Sequence, residues 1–95
     1  MSKGRGDRQF FVEFAGSARR DLHSIPPRIV PAIIEFVYGD LARSPRRVGK
    51  PLQRELDGLW GARRGPYRII YEIIDDRLVV LVVRIANRTD VYRPH

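Results

Sequence analysis

The sequence predicts an α+β fold in which an N-terminal strand and a helical hairpin precede a C-terminal antiparallel sheet, in the order β-α-α-β-β-β. Residues 17–44 carry apolar side chains at helical spacing, whereas residues 57–85 contain aromatic and β-branched runs separated by turn residues. With 95 residues, 43% of them hydrophobic and 31% charged, the chain has the composition of one small globular domain. We expect this domain to span residues 9–95 and the polar residues 1–8 to form a flexible tail.

The first predicted elements are a strand and a short helix. QFFVEF (residues 9–14) is aromatic and β-branched, which favours a strand. The residues that follow predict a short amphipathic helix, with Ser17 as its N-cap and with Pro26 and Pro27 at its end.

A second, longer helix and a loop are predicted next. RIVPAIIEFVYGDLARS (residues 28–44) has Pro31 where the first helical turn would be, and proline is tolerated there. The apolar face of this helix would consist of Ile29, Ile33, Phe36, Val37 and Leu41. SPRRVGKP (residues 44–51) contains two prolines and a glycine, so we expect a cation-rich loop.

Three strands are predicted in the C-terminal half, and they are DGLWGARR (57–64), YRIIYEII (67–74) and LVVLVVRI (78–85). Gly65 and Pro66 favour a turn after the first strand, and Asp75 and Asp76 favour one after the second. The third run is apolar on both faces, which is typical of a central strand covered on both sides. VYR (residues 91–93) is compatible with a short final strand.

The composition excludes several classes of function. The chain has no cysteine, so it has no disulfide, thiolate metal site or catalytic thiol, and His23 and His95 match no metal-ligand pattern. The sequence also lacks a supported Ser/His/Asp arrangement and a glycine-rich phosphate loop. We expect neither a metal nor a cofactor. A cytoplasmic location is expected, because no stretch suits a membrane span or a signal peptide.

The positive charge is concentrated in one segment. The whole chain carries a net charge of +7. The segment from Arg43 to Arg68 contains eight cations and only two acidic residues, Glu55 and Asp57, so this segment alone carries +6. Such a concentration predicts a polyanionic partner, most commonly nucleic acid. A solvated basic face and an acidic protein partner are the alternatives.

Arg68 is unusual because it lies near the start of a strand rich in aromatic and β-branched residues. Alternation places Tyr67, Ile69 and Tyr71 on the face that packs against the helices, and it leaves Arg68 on the opposite face. An ion pair with Glu72 on that opposite face would account for Arg68 without any function.

The predicted hairpin favours a site at Arg68 instead. A tight Asp-Asp turn pairs Arg68 with a residue between Val83 and Ile85, so the loop carrying Arg88 and Tyr92 is predicted to emerge beside it. Clustered guanidinium groups bind phosphate through planar, charged donors, and a tyrosine can stack on a base of single-stranded RNA. Arginine is a poor general base, so this cluster predicts charge stabilisation rather than proton transfer.

Three segments form a combined signature, and they are GKPL (49–52), LDGLWGARRGPYRIIYEI (56–73) and IANRTDVYR (85–93). Their combination resembles the RelE toxins of the RelE/ParE superfamily, particularly the short actinobacterial members. The match runs in element order from about residue 9 to residue 93. The resemblance implies a RelE-like fold and the toxin of a type II toxin–antitoxin pair.

The resemblance also implies an activity, namely a ribosome-dependent endoribonuclease that cuts mRNA in the A site by 2′-hydroxyl attack, without a metal. Arg68 matches the family's transition-state arginine, Arg88 the arginine near the leaving group, and Tyr92 the tyrosine that stacks on or orients the RNA. The cations expected to bind RNA or the ribosome are Arg46, Arg47, Lys50, Arg63, Arg64, Arg84 and Arg93. The expected partners are mRNA, ribosomal RNA and a cognate antitoxin whose acidic segment covers residues 43–68.

The sequence departs from the family pattern in one respect. Two lysines of the best-known members, one of them the proposed general base, match Leu59 and Gly61 here. The candidates to supply the missing charge are Arg63, Arg64 and Lys50. The same fold occurs in ParE toxins, which act on DNA gyrase and are not nucleases, so that activity is the alternative. A third alternative is a basic RNA-binding module that is not a toxin.

Overall fold

The computed structural model describes residues 9–87, and the predicted tail and final strand lie outside these residues. The strands are β1 (Phe11–Phe14), β2 (Lys50–Pro51), β3 (Trp60–Arg64), β4 (Tyr67–Ile74) and β5 (Val79–Asn87), and the helices are α1 (Gly16–Ser24), α2 (Val30–Phe36) and α3 (Pro45–Val48). The strands form one five-stranded sheet in the order β1-β5-β4-β3-β2. The predicted α+β fold is therefore confirmed.

The first strand and the first helix occupy the same edge of the sheet. β1 pairs in parallel with the beginning of β5, where Phe11 lies opposite Val79. α1 then lies beside the second half of β5, and Ser17 Oγ donates a 2.6 Å hydrogen bond to the carbonyl of Val83. The prediction of Ser17 as an N-cap is wrong, because the helix begins at Gly16 and the serine hydroxyl bonds to β5 instead.

The second predicted helix forms with Pro31 in its first turn, as expected. α2 continues into a π-helical turn at Val37–Leu41, which extends the helical segment over most of the predicted range. Ile33, Val37 and Leu41 of the predicted apolar face are 1%, 0% and 0% exposed. This segment therefore supplies one wall of the core.

The prediction of a cation-rich loop at residues 44–51 is wrong for most of these residues. Its residues form α3 and β2, because a proline suits the first turn of a helix and Pro45 begins α3. The carbonyl of Ser44 accepts hydrogen bonds from the N–H groups of Arg47 and Val48, both at 3.0 Å. The proline that suggested a loop thus begins a helix.

The two C-terminal hairpins turn where the sequence predicts. Gly65 in the β3–β4 turn has a φ of +61°, a left-handed conformation that glycine adopts without strain. The β4–β5 connection is longer than a tight turn, since a 3₁₀ turn at Asp75–Arg77 is followed by Leu78 at a φ of 54°.

The pairing of Arg68 differs from the prediction. Arg68 pairs with Ala86 of β5, so the predicted partner between Val83 and Ile85 is wrong. The cause is a register shift, because Tyr71 pairs with Val82 but Ile70 pairs with Arg84, which leaves Val83 without a partner on β4.

The helices pack against one face of the sheet, and the other face is more open. Tyr67, Ile69 and Tyr71 of β4 are 8%, 0% and 0% exposed and belong to the helix-covered core, as the alternation predicts. Residues directly opposite each other on paired strands share a face. The opposite face, called the open face below, therefore carries Lys50, Gly61, Arg63, Arg68 and Ile70. β5 lies between β1 and β4 as predicted of a central strand, although Arg84 on its open face is exposed.

No helix within residues 9–87 is long and apolar enough to cross a membrane.

Candidate functional site

Two arginines lie directly opposite each other on the open face. Arg63 of β3 pairs with Arg68 of β4, a position at which Cβ atoms are about 4.5–5.5 Å apart. Like charges in such a pair destabilise a sheet. A site that holds two adjacent guanidinium groups is suited to an anion.

A third cation approaches the pair from the sheet edge. Lys50 of β2 lies opposite Gly61 of β3. A Cβ atom placed on Gly61 would lie 3.3 Å from Arg68 Nε and 3.2 Å from Leu52 Cδ2. The Arg68 side chain therefore lies over Gly61, in the direction of β2.

These side chains line a cleft of about 390 Å³ on the open face. We call it the cationic cleft, and its lining residues are Val48, Lys50, Leu52, Gly61, Ala62, Arg63 and Arg68. No carboxylate is among these residues. The apolar walls lower the local dielectric and strengthen the attraction of the cations for an anion.

A larger depression of about 560 Å³ lies at the turn between β3 and β4. It is lined by Arg63 and Arg64 but also by Glu35 and Asp40, so its charges are mixed. The cationic cleft is the better candidate for an anion site, because charge composition matters more here than volume.

The cations of the cleft have no carboxylate partner among residues 9–87. The ion pairs of that part of the chain join Arg46 to Asp75, Arg77 to Glu13 and Arg84 to Asp21. The pair between Arg68 and Glu72, which would have explained Arg68 without a function, is not among them.

Tyr71 and Gly49 hold β2 against the rest of the sheet. The buried Tyr71 hydroxyl donates a 2.6 Å hydrogen bond to the carbonyl of Pro45, and its burial raises the pKa of Tyr71 to about 12. A Cβ atom on Gly49 would overlap the Tyr71 hydroxyl and lie 2.9 Å from the carbonyl oxygen of Gly61. Gly49 therefore permits the close approach that brings Lys50 to the cleft.

Arg46, predicted to bind RNA or the ribosome, has protein partners. Its guanidinium group donates two hydrogen bonds to the Asp75 carboxylate, at 3.0 and 2.6 Å, and lies 5.9 Å from the Trp60 ring centre. The hydrogen bond from Arg46 lowers the pKa of Asp75, and the same bond raises the pKa of Arg46.

Arg84 is likewise engaged within the protein. Its Nε donates to the Asp21 carboxylate at 2.8 Å, and this hydrogen bond raises the pKa of Arg84. The same carboxylate oxygen accepts the backbone N–H of Ile85 at 2.8 Å. Arg84 therefore helps to fasten α1 to β5.

The remaining predicted site residues divide into two groups. Arg47 on α3 and Arg64 at the end of β3 are exposed, and Arg64 lies opposite Tyr67, away from the open face. The second group lies outside the described residues and comprises Arg88, Tyr92 and Arg93.

Within residues 9–87 no group of three histidine, aspartate or glutamate side chains is placed to hold a metal ion.

Sequence reasoning missed the residues that shape the cleft. Leu52 forms part of its wall, and Gly49 and Tyr71 fix the position of β2. The glycine directly before Lys50 was the available signal, because a glycine between two short elements often marks a close backbone approach.

The chain matches known proteins over most of its length. The profile of the family described as "ParE toxin of type II toxin-antitoxin system, parDE" matches residues 12–92. Toxin RelG of Mycobacterium tuberculosis is 54% identical over 84 residues, covering 88% of this chain and 97% of the relative. Toxin RelE of the same organism is 44% identical over 87 residues, covering 92% of this chain and 90% of the relative.

A solved structure agrees with these relatives. A chain of the toxin–antitoxin complex RelBE2 from Mycobacterium tuberculosis superimposes with a TM-score of 0.81 at 52% sequence identity. The superposition covers 85% of this chain and 100% of the matched chain. The family profile, which matches residues 12–92, includes the strands that carry the cationic cleft.

Proposed function

The chain belongs to the RelE/ParE family of type II toxins and is RelE-like, and from that premise we propose that it is a metal-independent endoribonuclease that cuts mRNA in the ribosomal A site. It acts in the cytoplasm, where translated mRNA is found. One observation carries this proposal. Arg68 lies in the cationic cleft, and it has no carboxylate partner among residues 9–87. An arginine so placed is free to bind a phosphate of the substrate.

The reaction uses the RNA's own nucleophile. The 2′-oxygen forms a bond to phosphorus while the bond from phosphorus to the 5′-oxygen breaks, which gives a 2′,3′-cyclic phosphate and a 5′-hydroxyl end. One proton leaves the 2′-hydroxyl, and one reaches the 5′-oxygen. Extra negative charge develops on the phosphoryl oxygens between these events, and Arg68 stabilises it as a preorganised cation.

Arg88 and Tyr92 complete the proposed site. Arg88 stabilises charge at the leaving 5′-oxygen, and Tyr92 stacks on or orients a base, as in the family pattern. β5 ends at Asn87, opposite Tyr67 and next to the β3–β4 turn. This position of Asn87 supports the assignment, because Arg88 is the next residue in the sequence and Arg68 is next to Tyr67.

The alternative function is inhibition of DNA gyrase without nuclease activity. It is favoured by the description of the matching family, which names a ParE toxin. The individual relatives favour the nuclease, since the proteins at 54% and 44% identity are named RelG and RelE. Arg68, which has no carboxylate partner among residues 9–87, is also suited to contact a phosphate.

Primer extension on mRNA in a translating extract tests the two functions. The nuclease predicts cuts positioned by codon that disappear in Arg68→Ala and Arg88→Ala. Arg77→Ala is the matched control, because Arg77 lies in the turn at the other end of β4 and pairs with Glu13. Intact mRNA together with gyrase-dependent DNA breaks would reject the nuclease in favour of the alternative.

The antitoxin partner is proposed to cover the basic segment of residues 43–68 with an acidic extended or helical stretch. The segment carries +6 and includes the cations of the cationic cleft, and an acidic chain would neutralise these charges favourably. Hydrogen exchange of the toxin with and without its antitoxin tests this proposal. If the antitoxin slows the exchange of amide hydrogens in other segments but not in residues 43–68, the proposal is contradicted.

A further inference from the structure

Cations from three neighbouring strands surround one glycine of the open face. Lys50 of β2 lies opposite Gly61 of β3. Arg63 follows two residues after Gly61 on the same face, and it lies opposite Arg68 of β4. Diagonal neighbours on paired strands are about 7–8 Å apart, a distance that lysine and arginine side chains easily bridge.

The Arg68 side chain does not extend straight away from the sheet. Its Nε lies 3.3 Å from the position that a Cβ atom of Gly61 would occupy, so the side chain leans across β3. Lys50 lies on the far side of the same glycine. Because Gly61 has no side chain, Arg68 and Leu52 lie close to the backbone of β3, on the face that also carries Lys50.

None of these three cations forms an ion pair among residues 9–87. No carboxylate is among the described residues that line the cationic cleft. Adjacent like charges raise the energy of the empty site, and a bound anion removes that repulsion. Guanidinium and ammonium groups together suit a phosphate.

We propose that Lys50, Arg63 and Arg68 bind a single phosphate, the scissile phosphodiester of the RNA, and that Lys50 contacts it through its charge. This inference rests on the proposed function and adds no covalent step to it. Lysines that transfer protons are typically buried, whereas Lys50 is exposed on an edge strand. The lysine thus supplies positive charge from β2, at the position where β3 has only Gly61.

Binding of a short single-stranded RNA with 2′-O-methyl groups, which block cleavage, tests the site in the full-length chain. Lys50→Gln weakens binding roughly tenfold and reduces the slope of log affinity against log salt by about 0.7, the value for one phosphate contact on a single strand. Lys50→Arg binds within about twofold of the wild type, because it keeps the charge. Arg28→Gln is the matched control, because it makes the same charge change at an exposed position outside the cleft.

The outcomes separate this inference from the function on which it rests. Equal affinities and salt slopes for Lys50→Gln and Arg28→Gln overturn the phosphate site, and so does a failure of Lys50→Arg to restore binding. The unfolding free energy of each variant is compared with that of the wild type by urea denaturation, so that a loss of fold is not counted as a loss of binding. If Lys50→Gln weakens binding as predicted but the wild-type protein never cuts mRNA, the nuclease and the scissile identity of the phosphate are overturned, and a site for an RNA phosphate remains. Cleavage and binding by Lys50→Gln at wild-type levels overturn the phosphate site alone.

Discussion

The hydroxyl of Tyr71 occupies the space that a side chain at Gly49 would need, and it bonds to the carbonyl of Pro45. One buried side chain of the central sheet thus fixes the start of α3 and the residue before β2. Lys50 directly follows Gly49, so this contact also sets the position of a cation in the cleft. A packing contact in the core is therefore coupled to the geometry of the proposed site.

Gly49→Ala is expected to destabilise the protein. The added methyl group would overlap the Tyr71 hydroxyl and crowd the carbonyl oxygen of Gly61, and both are held by the surrounding structure. Overpacking of this kind costs about 1–3 kcal/mol of unfolding free energy. Urea denaturation measures the change, and Gly39→Ala is the control, because a Cβ atom there meets no atom within 4 Å. Equal stabilities for the two variants would contradict the close contact.

Tyr71→Phe is expected to lower the unfolding free energy by about 1–2 kcal/mol, because the buried carbonyl of Pro45 loses its donor. The same change removes the atom that an alanine at Gly49 would overlap most severely. The two substitutions should therefore be coupled, so that Gly49→Ala costs less in the Tyr71→Phe background than in the wild type. A double-mutant cycle by urea denaturation measures the coupling, and strictly additive effects would argue against direct contact.

Stability should fall at high pH because of Tyr71. Burial raises the pKa of Tyr71 from 10.0 to about 12, so the folded state keeps this proton at pH values where the unfolded state loses it. The corresponding stabilisation is complete below about pH 10 and is lost as the pH rises through about 12, reaching a loss of about 2 kcal/mol near pH 11.5. Tyr71→Phe lacks this component, so the stability difference between wild type and variant should shrink from pH 9 to pH 11.5. A constant difference across that range would contradict the raised pKa.

The sequence could predict the elements of this fold but not every pairing between them. Helical spacing located α2, and alternation assigned Tyr71 to the core and Arg68 to the open face. The predicted partner of Arg68 was wrong because β5 contains a register shift, which short-range patterns do not specify. α3 was missed because the same Pro45 is compatible with a loop and with the first turn of a helix.

The cationic cleft could be predicted only in part for a related reason. Its arginines follow from alternation along a strand, but the position of Lys50 depends on a two-residue strand that pairs through Gly49 and Gly61. Charge alone also cannot separate a free cation from a paired one. Arg46 and Arg84 looked equivalent to Arg63 in the sequence, and only the fold brings Asp75 and Asp21 to them.

Asp21 should contribute more to stability than its partner Arg84. Asp21→Ala removes the acceptor of the Ile85 backbone N–H as well as the ion pair, and the expected cost is about 2–3 kcal/mol. Arg84→Ala removes only a partly exposed ion pair, with an expected cost of about 0–1 kcal/mol. Urea denaturation compares the two variants, with the exposed Asp76→Ala as the control. A larger loss for Arg84→Ala would show that the ion pair, and not the bond to Ile85, fastens α1 to β5.

Arg63 and Arg64 should differ in function, although they are adjacent in sequence. Arg63 lies on the open face beside Arg68, whereas Arg64 lies opposite Tyr67 on the other face. A cation that touches the reacting phosphate stabilises the transition state, so Arg63→Gln should lower the cleavage rate of ribosome-bound mRNA by about 10²-fold or more. Arg64→Gln should leave that rate within about threefold and weaken only the binding step, because a peripheral cation acts mainly on association. Single-turnover cleavage at saturating toxin separates the two steps for a matched pair of identical substitutions. If both variants cut at the same reduced rate, the face of the sheet does not determine which arginine acts on the phosphate.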